Sequence, residues 1–183
     1  KLFIETSGQG NKLEEKHIDY QLAYAYFKNS QYEEARDYFA AFIQKNQVSE
    51  EKIIDAKLRA GDASFLNKNY WPALEYYNSV IEANKQDLDY ASYQKALSLG
   101  LVQRVEQKID LLSSFQNKFP SSNYRDEAYF ELGSTLANRG DNKKALDNFQ
   151  KLNKEFPKSQ YSAKAYLKEG LIFYNQEENE KAL

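Results

Sequence analysis

Apolar residues recur along this chain in steps of three and four. Tyr129, Leu132, Gly133 and Leu136 stand at i, i+3, i+4 and i+7, the spacing of one face of a helix. After the polar stretch Asn138 to Asn142, a second set follows: Ala145, Phe149 and Leu152 at i, i+4 and i+7. Gly140, within that stretch, suits a left-handed C-terminal cap, and Pro157 stands where the second helix has to stop. The segment therefore predicts a helix, a tight turn and a second helix. Gly133 predicts a close crossing of the two, because a larger side chain would hold the backbones apart; the helix gives up roughly 1 kcal/mol of propensity relative to Ala there.

This pattern repeats. Ala23, Gly61, Ala96, Gly133 and Gly170 are separated by 38, 35, 37 and 37 residues, and Ala35, Ala73, Lys108, Ala145 and Ala182 lie twelve residues after them. Self-similarity at this period marks stacked helical hairpins, each burying its apolar face against its neighbours. The expected class is all-α: a right-handed solenoid of about four full hairpins and a truncated fifth. Residues 1–11 read as a flexible lead-in and 12–183 as a single array, with units near 12–50, 51–87, 88–123, 124–160 and 161–183. Asn11 with Glu14 predicts a capped start for the first helix.

A small residue, then Ala twelve positions on, an aromatic four further and Pro eight further resembles the tetratricopeptide repeat (TPR). Gly133, Ala145, Phe149 and Pro157 carry the pattern in register. Gly61, Ala73 and Tyr77, and Ala23, Ala35 and Phe39, repeat it without the Pro. The third unit departs: Lys108 and Leu112 replace the preferred Ala and aromatic, so its hairpin is expected to be altered, with the Lys108 amine turned out to water. The joints Phe119-Pro120-Ser-Ser122-Asn-Tyr124 and Phe156-Pro157-Lys-Ser159-Gln-Tyr161 resemble those of bacterial envelope TPR proteins, of the kind associated with the Tol–Pal system or with outer-membrane β-barrel assembly. That resemblance implies a periplasmic or outer-membrane-associated location in preference to the cytoplasm.

It also implies a concave groove lined by the first helix of each hairpin, with residues three before, one after and four after the small anchor facing it. The candidate peptide-binding residues are Tyr20, Tyr24, Phe27, Arg59, Asp62, Tyr93, Gln94 and Phe130. An aromatic stripe at helical spacing is also what packing between repeats requires, and both readings stay open at this stage. The clamp of Lys, Arg and Asn with which some TPR proteins hold a C-terminal carboxylate is not matched, since aromatic Tyr20 and Tyr24 occupy early groove positions and leave Arg59 as a lone candidate cation.

Composition narrows the chemistry. The chain has no cysteine and one histidine, so thiolate metal sites, disulfides and cysteine nucleophiles are excluded. His17 lacks a partner at any catalytic or metal-binding spacing. The acidic pairs Glu14–Glu15, Glu33–Glu34, Glu50–Glu51 and Glu177–Glu178 fit helix ends and turns better than paired-carboxylate catalysis. A net charge of −2, with basic residues dispersed among acids, gives no nucleic-acid footprint. No apolar run is long enough for a membrane span, and the absence of Met predicts that the chain begins inside a longer gene product. No catalytic residue, metal or cofactor is expected. The leading expectation is a non-catalytic scaffold that binds a protein or peptide. The alternatives are a solenoid domain of a larger envelope enzyme, and a structural module that self-associates through an uncapped repeat end.

Overall fold

The computed structural model describes residues 18–45 and 48–176, and every structural statement below concerns these residues. They are helical and contain no strand: α1 (18–28), α2 (Tyr32–Ile43), α3 (Glu50–Leu66), α4 (Tyr70–Ala83), α5 (Leu88–Leu101), α6 (Val105–Lys118), α7 (Arg125–Asn138), α8 (Asn142–Glu155) and α9 (Gln160–Asn175). The expected cap at Asn11, His17 and the pairs Glu14–Glu15 and Glu177–Glu178 fall outside the described residues. Glu33–Glu34 and Glu50–Glu51 occupy the first turns of α2 and α3, where the helix dipole favours negative charge. No described helix is long and apolar enough to cross a membrane.

The chain divides into two compact units, Lys1–Val102 and Gln103–Leu183. The division falls inside the third repeat read from the sequence, with α5 in one unit and α6 in the other.

In the first unit, consecutive helices pack in chain order. α3 has two buried faces. Ala56, Ala60 and Ala63 join Ala23, Ala35, Phe39 and Phe42 in one core, while Ile54 and Leu58 join Ala73, Tyr77, Val80 and Ala91 in another. Three alanines on one face let neighbouring helices come close, and the larger rings of α2 fill the remaining space. In the second unit α6 packs on α7, α7 on α8, and α9 on both α7 and α8. Phe149 and Leu152 of α8 are wholly buried. A Cβ built on Gly133 would lie 2.6 Å from Phe149 Cε1, so the glycine is where the ring of the partner helix needs the space.

The tight turns share one backbone solution. Ser30, Lys68, Gln103 and Gly140 all have positive φ, at 60°, 61°, 61° and 82°, and they recur at the spacing of the repeat. Around Ser30, Lys68 and Gly140 the amide of the next residue bonds back five positions: Gln31 to Tyr26 at 2.9 Å, Asn69 to Ser64 at 2.8 Å and Asp141 to Leu136 at 3.0 Å. These left-handed caps satisfy carbonyls that the helix end leaves unpaired. Only Gly140 announces the turn in the sequence.

At the second Phe-Pro joint, Ser159 accepts the Tyr161 amide at 3.0 Å and donates to Asp126 at 2.5 Å. The Tyr161 hydroxyl donates to Glu127 at 2.8 Å, and its ring lies 5.4 Å from Phe130. Ser here caps a helix and ties it to the preceding hairpin. Lys108 differs from expectation. Its side chain is only 11% exposed, and Nζ lies 2.7 Å from Glu131 of α7 rather than in water. A charge at that depth is held by a carboxylate, which explains how Lys replaces the usual Ala.

A polar seam and pocket in the first unit

Three charged residues of α3 organise the candidate site. Asp55, Arg59 and Asp62 stand at i, i+4 and i+7, so one face of the helix carries an acid, a base and an acid. Arg59 Nη1 donates to Asp62 Oδ2 at 2.5 Å, and Arg59 Nε lies 3.6 Å from Asp55 Oδ1.

Tyrosines supply the other donors. Tyr20 and Tyr24, one turn apart on α1, both donate to Asp55 Oδ2, at 2.5 and 2.7 Å. Tyr77 of α4 and Tyr90 of α5 both donate to Asp62 Oδ1, at 3.0 and 2.9 Å. Gln94 Nε2 donates to the Tyr90 hydroxyl at 3.0 Å. Asp62 is 6% exposed, and its three donors are what make so buried a carboxylate tolerable.

The electrostatics follow from burial and these bonds. Burial pushes the Asp62 carboxyl above the ordinary carboxylate value, while Arg59 and the two phenols pull it back. Burial alone would lower Arg59; Asp62, Tyr24 and Asp55 reverse this and hold it as a cation. Burial and then the neighbouring carboxylate push Tyr20, Tyr24, Tyr77 and Tyr90 above the ordinary phenol value, so these hydroxyls stay protonated donors.

Beside this seam lies a pocket of about 260 Å³, with walls from Phe27, Arg59, Asp62, Phe65, Leu66, Tyr77, Tyr90 and Gln94. Of the residues expected from the sequence, Phe27, Arg59, Asp62 and Gln94 therefore meet at one concavity. Tyr20 and Tyr24 join it only through Asp55. Their rings also pack on Phe39, at 6.0 and 5.2 Å between centroids, so both are partly core.

Tyr93 is misplaced by the sequence reading. It is 6% exposed, because the residue one turn before the small anchor Ala96 shares that anchor's buried face. Leu58, at the same position before Gly61, is 1% exposed. Phe130 lies in the second unit, where its ring packs against Phe149 and Tyr161 at 6.1 and 5.4 Å. Asp55, Tyr77 and Tyr90 were not among the expected residues. The charge spacing on α3 could have found Asp55, but nothing local marks the two tyrosines, which reach the site from other helices.

Tandem helical hairpins, small anchor residues at the crossings and left-handed caps at a fixed period define an all-α helical-repeat protein. Family models described as tetratricopeptide repeat match residues 20–87 and 127–159, together more than half of the chain. The chain belongs to the tetratricopeptide-repeat family. The interval between the two matches contains the divergent unit with Lys108 and Leu112. No curated protein matches the chain.

Among solved structures, MamA (residues 41 to the end) from Desulfovibrio magneticus RS-1 is similar, with a TM-score of 0.74 at 16% identity, covering 91% of this chain and 88% of that one. YrrB, described as a TPR protein with an unusual peptide-binding site, is similar at a TM-score of 0.70 and 18% identity, covering 100% and 89%. At these identities the likeness is one of fold.

Proposed function

We propose that the chain is a non-catalytic interaction scaffold, and that its first unit binds a peptide segment along α1, α3 and α5 at the pocket beside Arg59. The observation that carries this reading is the convergence of Phe27, Phe65 and Leu66 with Arg59, Asp62 and Gln94 on one concavity. Apolar walls supply contact area, and a few fixed polar groups supply orientation. The peptide-binding site described for YrrB, a protein of the same fold, supports the reading.

The test is selection of displayed peptides on the folded chain, with binding then compared on Leu66→Glu. Leu66 is 46% exposed, so the change places a charge in the pocket wall at little cost to the core. Peptides that bind the wild type and not the variant support the site; equal binding to wild type and variant would remove it.

A bacterial envelope setting rests on the form of the two Phe-Pro joints. Fractionation of the native host tests it, and recovery of the full-length protein in the cytoplasm alone would overturn it. A second reading is favoured by α9, where Tyr166, Leu167, Leu171 and Tyr174 are 62, 67, 48 and 64% exposed. Apolar residues in such a cluster fit self-association. Light scattering tests this: a concentration-dependent mass that Leu167→Glu abolishes supports it, and a monomer at high concentration sinks it.

A further inference from the structure

Asn153 of α8 and Glu169 of α9 meet at a joint that is apolar elsewhere in the chain. Counted from the small anchors, their positions correspond to those of Ile43 and Ala60. Ile43 packs on the core that contains Ala60. In the second unit an amide and a carboxyl stand in their place, and Asn153 Nδ2 donates to Glu169 Oε1 at 2.9 Å. An ionised carboxylate only accepts, so Asn153 has to present its NH2 group and turn its oxygen aside. Asn153 is 9% exposed, and its Oδ1 is buried with no hydrogen-bond partner. An amide oxygen in that state is costly unless a donor reaches it.

A proton on Glu169 supplies the donor. The protonated carboxyl has an O–H to give and keeps an oxygen that accepts, the same two functions that a carboxamide carries. Facing each other in one plane, the two groups close a ring of two hydrogen bonds. The terminal torsions of Asn and Glu are broad, so both ends can turn into that plane. Burial pushes the Glu169 carboxyl above the ordinary glutamate value, and the Asn153 N–H draws it partway back. Among the described residues these are the only influences on its ionisation. The acids on the helices packed against α9 have their own partners. Asp126 and Glu127 of α7 take Ser159 and Tyr161, Glu131 of α7 takes Lys108, and Glu155 of α8 takes Arg125 and Tyr129. Lys151 and Lys154 of α8 are exposed, and Lys164 of α9 lies over the Tyr161 ring. Lys168 precedes Glu169 and sits about 100° round the helix from it.

From this we infer that Glu169 and Asn153 form a pH-dependent clasp between α9 and α8. Protonated, Glu169 accepts from Asn153 Nδ2 and donates to Oδ1; ionised, it keeps only the first bond. The folded chain then holds the Glu169 proton more tightly than the unfolded chain does. The clasp therefore stabilises the second unit fully below the ordinary glutamate value, and its contribution is lost as pH rises through the higher value of the folded chain.

The test compares wild type with Glu169→Gln and Glu169→Met in urea unfolding, followed by the NMR signals of Ala165 and Ile172, buried residues of α9. Glutamine carries an N–H where the protonated acid carries its O–H, so it closes the ring at every pH. It is expected to match wild type at about pH 4 and to favour the folded state about fivefold more than wild type at about pH 8, the worth of one hydrogen bond. Methionine keeps the length and removes both polar functions, so it is expected to fall below glutamine by at least about fivefold. A methionine chain as stable as the glutamine chain would assign the effect to burial alone and overturn the clasp. A glutamine chain no more stable than wild type at about pH 8 overturns it as well. In wild type, the Glu169 carboxyl carbon and the Asn153 side-chain amide are expected to titrate with one midpoint above the ordinary glutamate value. Separate midpoints, or a Glu169 midpoint at or below that value, overturn the inference even if neither variant folds.

Discussion

Replacing Asp62 by Asn keeps the shape of the side chain and removes the charge around which the seam is built. Asn Oδ1 can still accept from Tyr77 and Tyr90. The other side-chain oxygen, which now takes Arg59 Nη1 at 2.5 Å, becomes an NH2 group, so that donor faces donor. Removing one partner of a buried ion pair costs about 3–5 kcal/mol. Arg59 is 31% exposed and retains Asp55 at 3.6 Å, so it can recover part of that loss, and the expected cost is about 2–3 kcal/mol. Tyr77→Phe is the internal reference. It leaves Asp62 two of its three donors and should cost only about 1 kcal/mol. Urea unfolding is the assay. The chain's single tryptophan, Trp71, lies in α4, so its emission follows the first unit, and circular dichroism follows the whole chain. With a slope typical of a small domain, the Asp62→Asn midpoint should fall by roughly 1–2 M urea with the slope unchanged. A loss below about 0.5 kcal/mol, or one no larger than that of Tyr77→Phe, would show that the pair behaves like a surface ion pair and does not organise the unit.

Gly133→Ala should lower stability by about 1–2 kcal/mol in urea unfolding, because overpacking against a wholly buried ring outweighs roughly 1 kcal/mol of helix propensity. Phe149→Leu should offset part of this loss when combined with it, and a Gly133→Ala chain more stable than wild type would refute the packing role. Lys68→Gly should raise the urea midpoint by the equivalent of about 0.5 kcal/mol, since Lys68 holds a φ of 61° that costs a side-chain-bearing residue about 1 kcal/mol while glycine loses more freedom on folding; a lower midpoint would contradict the cap. The raised phenols make stability alkali-sensitive. Tyr161 is pushed up to about 12 by burial and its bond to Glu127, and Tyr20, Tyr24, Tyr77 and Tyr90 are shifted in the same direction. Their contribution is fully present below about pH 10, the ordinary phenol value, and is lost as pH rises because the unfolded chain releases protons that the folded chain keeps. Urea midpoints should therefore fall from about pH 10 upward, with phenolate absorbance lagging until unfolding; a flat profile would mean that these hydroxyls are not held by their carboxylates.

The sequence by itself determined the repeat. Period, small anchors and helix stops are local properties: a three-to-four spacing buries one face, Gly133 leaves room for a ring, and Pro157 cannot continue a helix. Family membership was legible from the same residues, as was the attraction of Phe27, Arg59, Asp62 and Gln94 to one face. The left-handed turns at Ser30, Lys68 and Gln103 were not, because the positive φ belongs to the backbone cap and these side chains do not advertise it. Lys108 looked like a residue bound for water until Glu131, on another helix, met it. Tyr93 looked like a groove residue and Tyr77 like core alone; in the folded chain the first is buried and the second's hydroxyl, carried on α4, reaches Asp62 of α3. Periodicity along one helix reports which face is apolar. It cannot report which donor from a neighbouring helix reaches a given carboxylate, and in this protein that pairing builds the candidate site.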